Sequence, residues 1–115
     1  MRSGFIVAMG AFLGSAVAHA DPVTIDLPGA AESQTVAYTC DGGQKVAAEY
    51  VNAGTNSLAI VKFGDQTVLM VNVLSASGAR YAGQQYIWWT KGDAGDFYDL
   101  TKGGEAKPEF SCTAT

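Results

Sequence analysis

The chain has 115 residues, 48% of them hydrophobic and 16% charged, with a net charge of −4, which bounds it to about one small domain. An acidic balance argues against nucleic acid or an anionic membrane surface as a partner and favours a cationic one, although the same charge also serves plain solubility. Two cysteines and one histidine leave little material for metal or nucleophilic chemistry.

In chain order, residues 1–20 read as a secretory signal peptide. Arg2 supplies the basic start, Phe5 to Val17 the apolar stretch, and Ala18-His19-Ala20 an A-x-A cleavage site before Asp21. The apolar run is short for a membrane span. No cysteine stands near the cut, so export without a membrane anchor is expected. Removing the leader leaves six basic and eleven acidic residues, a net charge of −5. It also removes His19, the sole histidine. Without it, Ser-His and Cys-His mechanisms and an ordinary zinc site are excluded.

Residues 21–115 then form one domain with a modest core. Val23, Ile25 and Leu27 alternate as a strand would. So do Val36, Tyr38 and Cys40. After the turn Asp41-Gly42-Gly43, Val46, Ala48 and Tyr50 face one way and Lys45, Ala47 and Glu49 the other. Asn52 to Asn56 is the next turn, and Ala59, Val61 and Phe63 form a further inward row. Period-2 alternation of this kind marks strands with one wet face. Thr67 to Leu74 is apolar on both faces and reads as the most buried strand, or as one that meets a second copy in a homodimer.

Between Ser75 and Leu100 the chain reads as two turns flanking one aromatic strand. Ser77-Gly78 and Lys91-Gly92 are the turns, since glycine takes positive φ without steric cost. Tyr86, Ile87, Trp88 and Trp89 have the make-up of a strand. Trp88 and Trp89 face opposite ways, one toward the core and one outward. Phe97, Tyr98 and Leu100 suggest another strand and Phe110 with Cys112 a last one, while Lys102 to Pro108 reads as a mobile loop. Cys40 and Cys112 share inward parity, and in an exported chain they read as one disulfide. About eight short strands without helical periodicity imply an all-β barrel or sandwich.

Asp93, Asp96 and Asp99 are the one group resembling a metal or catalytic site. They lack the order of a calcium loop, and Gly92 and Gly95 oppose the helix that would align them. They read as a solvated face. No metal, cofactor or catalytic residue is expected.

Two short motifs carry a resemblance. Ser77-Gly78-Ala79-Arg80-Tyr81 and Trp89-Thr90-Lys91-Gly92, ordered between Tyr38-Thr39-Cys40 and Cys112, resemble the periplasmic and membrane-bound inhibitors of c-type lysozyme over most of the chain. The resemblance implies a small eight-stranded antiparallel β-barrel with one disulfide and, with no cysteine near the cut, the soluble periplasmic form rather than the lipidated one. It further implies that Ser77 and Lys91, with Gly78 and Gly92 shaping their loops, enter the cleft of a cationic c-type lysozyme and meet its catalytic carboxylates. Tyr81 either touches the partner or braces the loop, and Arg80 has no assigned role. Two rival readings are a wall-binding module using an exposed Trp89 and a barrel with an internal ligand cavity.

Overall fold

The computed structural model describes residues 21–115, so the signal-peptide expectation lies outside the described residues. Eight strands, β1 (Ala31–Cys40), β2 (Lys45–Ala53), β3 (Asn56–Phe63), β4 (Gln66–Val73), β5 (Ala79–Gly83), β6 (Tyr86–Lys91), β7 (Ala94–Asp99) and β8 (Phe110–Ala114), follow one another. Each pairs antiparallel with the next, and β8 returns to β1 to close a barrel. Closure gives each strand a partner on both sides over at least part of its length, which an open sandwich lacks at its edges.

The expected inward rows line the barrel. Tyr38, Cys40, Val46, Ala48, Ala59, Val61, Val68 and Met70 are buried, with Ala48, Ala59, Val61 and Met70 sealed completely. Trp88 on β6 is also fully buried. Its indole meets Tyr38 edge-on, with ring centroids 5.0 Å apart. Phe63, Tyr86, Phe97 and Phe110 fill the rest of the interior, Phe97 stacking on Phe110 at 4.8 Å. The barrel is thus filled by side chains, as expected for eight strands.

Space for Trp88 comes from Gly95 on the neighbouring strand. A Cβ at Gly95 would collide with the six-membered ring of Trp88. Gly95→Ala is therefore expected to cost about 1–3 kcal/mol of stability by overpacking. The checks are a lower urea midpoint at unchanged slope and an altered near-ultraviolet signal from Trp88.

The β1–β8 seam has only three residue pairs, Tyr38↔Ala114, Thr39↔Thr113 and Cys40↔Cys112. The third is the disulfide, joining residues 72 apart in sequence. The parity expected for the two cysteines places them directly opposite each other.

Four expectations need correction. Val23, Ile25 and Leu27 do not form a strand, because they border the outer face of β2–β4, around Val51, Leu58 and Ile60, and not a strand edge. They run as a strap outside the barrel, with Val23 and Ile25 exposed. Pro28 and Gly29 hold this strap against Gly54 at the β2–β3 turn. Thr67 to Leu74 is not the most buried stretch: only Val68 and Met70 face inward, while Leu69 and Val71 are about half exposed and Leu74 lies in water. A barrel wall has one interior face, so apolar residues of the other parity must remain outside it.

The third correction positions the candidate site. Between Ser77 and Lys91 lie two strands, β5 and β6, joined at Gln84-Gln85. A single strand would have sent the two turns to opposite ends of the fold. Two antiparallel strands bring them to the same end.

The fourth concerns Lys102 to Pro108. Lys102 closes a 3-10 turn (Leu100–Lys102) that also takes Leu100 out of the strand. Its ammonium pairs with Glu109 at 3.1 Å, and Glu105 is bound by Arg80. Ile87 and Tyr98 have outward parity yet are buried, because this connection folds over the outer face of β5–β7. The loop is thus pinned to the barrel at several points.

Candidate functional site

The site is built on the β5–β6 hairpin. Ala79 pairs with Thr90, Arg80 with Trp89 and Tyr81 with Trp88. Continuing this register sets Gly78 against Lys91. Gly78 has φ +69°, and a Cβ there would strike the Thr90 carbonyl oxygen and the Lys91 side chain. Glycine is needed at this position for its backbone conformation and for the close approach of the two motifs. Gly92, at φ +57°, begins the tight β6–β7 turn. A Cβ there would meet nothing within 4 Å, so its requirement is conformational only.

Ser77 and Lys91 are exposed at this end of the barrel. The loop carrying Ser77 is tied internally by a hydrogen bond from Ser75 Oγ to the Gly78 carbonyl at 3.1 Å. It is tied to β6 by Trp89, whose Nε1–H donates to the Ser77 carbonyl at 2.8 Å. Lys91 Nζ lies over the Trp89 indole, 5.7 Å from its centroid, and Arg80 Cζ lies 5.6 Å from the same ring. Trp89 is half-buried, so the outward tryptophan is partly covered by its own cations and is no free platform.

Arg80 is held in turn by Glu105, its Nε donating to Oε1 at 3.1 Å while its terminal nitrogen meets Oε2. These bonds hold the Glu105 carboxyl below its ordinary range and raise the guanidinium further. Asn72 also donates to the Arg80 carbonyl at 3.2 Å. Sequence reasoning left Arg80 unassigned. Strand register would have aligned Arg80, Trp89 and Asp96 across the outer face, but that required β5 to be seen as a strand.

Tyr81 points into the barrel, is 7% exposed, and packs against Tyr50 at 5.6 Å between ring centroids. It braces the hairpin from inside. Beside it Trp88 Nε1–H donates to the Tyr50 hydroxyl at 2.9 Å, and the Tyr50 and Tyr38 hydroxyls share a hydrogen bond of 2.6 Å. Burial raises the pKa of all three tyrosines, so they remain neutral phenols. They floor the open barrel mouth next to Gly92 and Asp93.

The three aspartates do not converge. Asp93 is in the turn, Asp96 faces outward beside Trp89, and Asp99 accepts hydrogen bonds from the Thr101 hydroxyl at 2.6 Å and its N–H at 3.0 Å. Those two bonds lower the Asp99 pKa. Among the described residues, no group of side chains is arranged to hold a metal ion.

A family model, MliC, described as membrane-bound lysozyme-inhibitor of c-type lysozyme, matches residues 38–106. The chain belongs to this family. The matched span contains both loop motifs and the whole β5–β6 hairpin of this MliC-family protein. A Pseudomonas aeruginosa relative named membrane-bound lysozyme inhibitor of C-type lysozyme is 47% identical over 89 residues, covering 75% of this chain and 70% of that protein. A Cupriavidus necator relative of the same name is 42% identical over 107 residues, covering 91% and 86% respectively. Among solved structures, the crystal structure of Pseudomonas aeruginosa MliC in complex with hen egg white lysozyme resembles this MliC-family barrel with a TM-score of 0.71. Its sequence identity is 37%, over 85% of this chain and 98% of that one.

Proposed function

We propose that the protein inhibits c-type lysozyme by plugging its active-site cleft with the Ser77 loop and Lys91. The observation that carries this reading is the meeting of the two motifs at one end of the barrel, Gly78 against Lys91. A related barrel has been solved with a c-type lysozyme, which supports the choice of partner. The relatives are named as inhibitors, a binding role in which this protein catalyses no reaction.

The chemistry is direct. Retaining glycosidases such as lysozyme work with a carboxylic acid and a carboxylate flanking the scissile bond. The Lys91 ammonium pairs with the ionised carboxylate. The Ser77 hydroxyl, donor and acceptor at once, bonds either protonation state. Seated together they displace substrate and water from the cleft. Gly78 and Gly92 give the two tips their backbone shape, and Tyr81 supports them from within. The acidic charge steers the inhibitor toward a cationic enzyme and raises the association rate at low salt.

The cell envelope is where this function protects peptidoglycan. The Ala18-His19-Ala20 pattern supports export and release into the periplasm with Asp21 as the first mature residue. N-terminal sequencing of the osmotic-shock fraction tests that, and recovery with the membrane pellet would overturn it.

The deciding experiment titrates residues 21–115 into a bacterial-suspension lysis assay with a c-type lysozyme, alongside a g-type lysozyme. Stoichiometric loss of the c-type activity alone is expected. Full lysis at large inhibitor excess would overturn the reading.

A further inference from the structure

We propose that Trp89 is the positioning residue of this site: one indole fixes the Ser77 loop through its N–H and aims the Lys91 ammonium through its ring. The affinity consequences rest on the lysozyme-binding reading above; the positioning itself concerns the free protein.

Ser77 and Lys91 are both exposed, and neither side chain is held by a hydrogen bond or ion pair among the described residues. An exposed lysine on a four-carbon stem samples many rotamers, and ordering it on binding costs affinity. Trp89 lowers that cost in two ways. Its Nε1–H bond to the Ser77 carbonyl, 2.8 Å long, locks the loop backbone that presents the hydroxyl. Its π face lies 5.7 Å from Lys91 Nζ, within the range of a cation–π contact.

The indole is itself fixed. Arg80 lies over the same ring and is clamped by Glu105, so a residue of the β7–β8 connection reaches the presentation of Lys91 through Arg80 and Trp89. The ring packs closely at the hairpin mouth, where a Cβ on Gly78 would sit 3.3 Å from Trp89 Nε1. Trp89 has a defined task in both motifs without itself needing to meet the partner.

Two substitutions separate the roles. Trp89→Phe keeps an aromatic face and loses the N–H; Trp89→Leu loses both. In the free protein, the Trp89 ring current should move the Lys91 ε-methylene protons upfield. We expect that shift to persist in Trp89→Phe and to vanish in Trp89→Leu, with melting temperature little changed for a half-buried outer residue. Binding to c-type lysozyme should weaken about 3- to 10-fold for Trp89→Phe and about 10- to 50-fold for Trp89→Leu.

In a cycle with Lys91→Ala, the combined loss should fall well short of the product of the single losses, since the two residues act through one another. An unshifted Lys91 in the native protein, or losses that multiply as for independent sites, would overturn the proposal. If the native protein binds no c-type lysozyme while the Lys91 shift behaves as expected, the inhibitor reading falls and the positioning by Trp89 stands.

Discussion

Lys91→Ala is expected to weaken binding to c-type lysozyme by about 30-fold to several-thousand-fold. This corresponds to about 2–5 kcal/mol for truncating one member of a desolvated charge pair. Much of that loss is the cost of leaving the target's carboxylate buried without a partner. The fold should be untouched, because Lys91 is exposed at the last position of β6, outside the barrel interior. The measurement is a dissociation constant by calorimetry, with the inhibitory titre in the lysis assay beside it. An unchanged constant would eliminate the plug mechanism. Ser77→Ala should cost less, about 1–2 kcal/mol, since a hydroxyl bonded to a charged group contributes less than an ion pair. The ratio of the two losses measures how much of the affinity comes from charge pairing rather than from the hydroxyl hydrogen bond.

The inward rows of this barrel were legible because their period is two and their residues differ sharply across the wall. Val36, Tyr38 and Cys40, then Val46, Ala48 and Tyr50, and Ala59, Val61 and Phe63 could be assigned from the order of residues alone. Where polarity failed to alternate, the reading erred. Leu69 and Val71 are as apolar as Val68 and Met70, and only closure of the sheet reveals which pair is outside. Val23, Ile25 and Leu27 alternate well, yet a strand also requires a backbone partner, and this segment borders a side-chain face of the barrel and not a strand edge.

The most consequential miss was β5. Its residues Ala79, Ala82 and Gly83 are small and carry no strand signature. Gly83 is small for a packing reason: a Cβ there would strike the Leu69 carbonyl oxygen of β4. With β5 hidden, the two motifs could be recognised individually, but their meeting at one end of the barrel could not. The candidate residues were named from motif; their placement at one end of the barrel depended on counting strands.

Removing the disulfide should give the largest stability change in the molecule. The Cys40→Ala/Cys112→Ala double variant frees a loop with a sequence separation of 72, which the chain-entropy relation values at about 4 kcal/mol. For a domain of this size that corresponds to a fall in melting temperature of about 15–30 °C. The location makes the loss more than entropic. β1 and β8 meet through three residue pairs, and their contact is the one that turns a meander into a barrel. Without the clamp, fraying of this seam opens two strand edges at once and exposes Tyr38 and Phe110, the inward residues on either side of it. Hydrogen exchange should therefore accelerate first in β1 and β8, while the β5–β6 hairpin, stitched to both neighbours and not itself part of the seam, stays protected longer. Lysozyme binding measured below the new melting temperature should be close to native, since Ser77, Trp89 and Lys91 lie on or beside that hairpin. A double variant that melts within a few degrees of the native protein would mean that aromatic packing around Trp88 and Phe97 closes the barrel without help. A variant that stays folded but loses its affinity would mean that closure at the seam is transmitted through the sheet to the Ser77 loop.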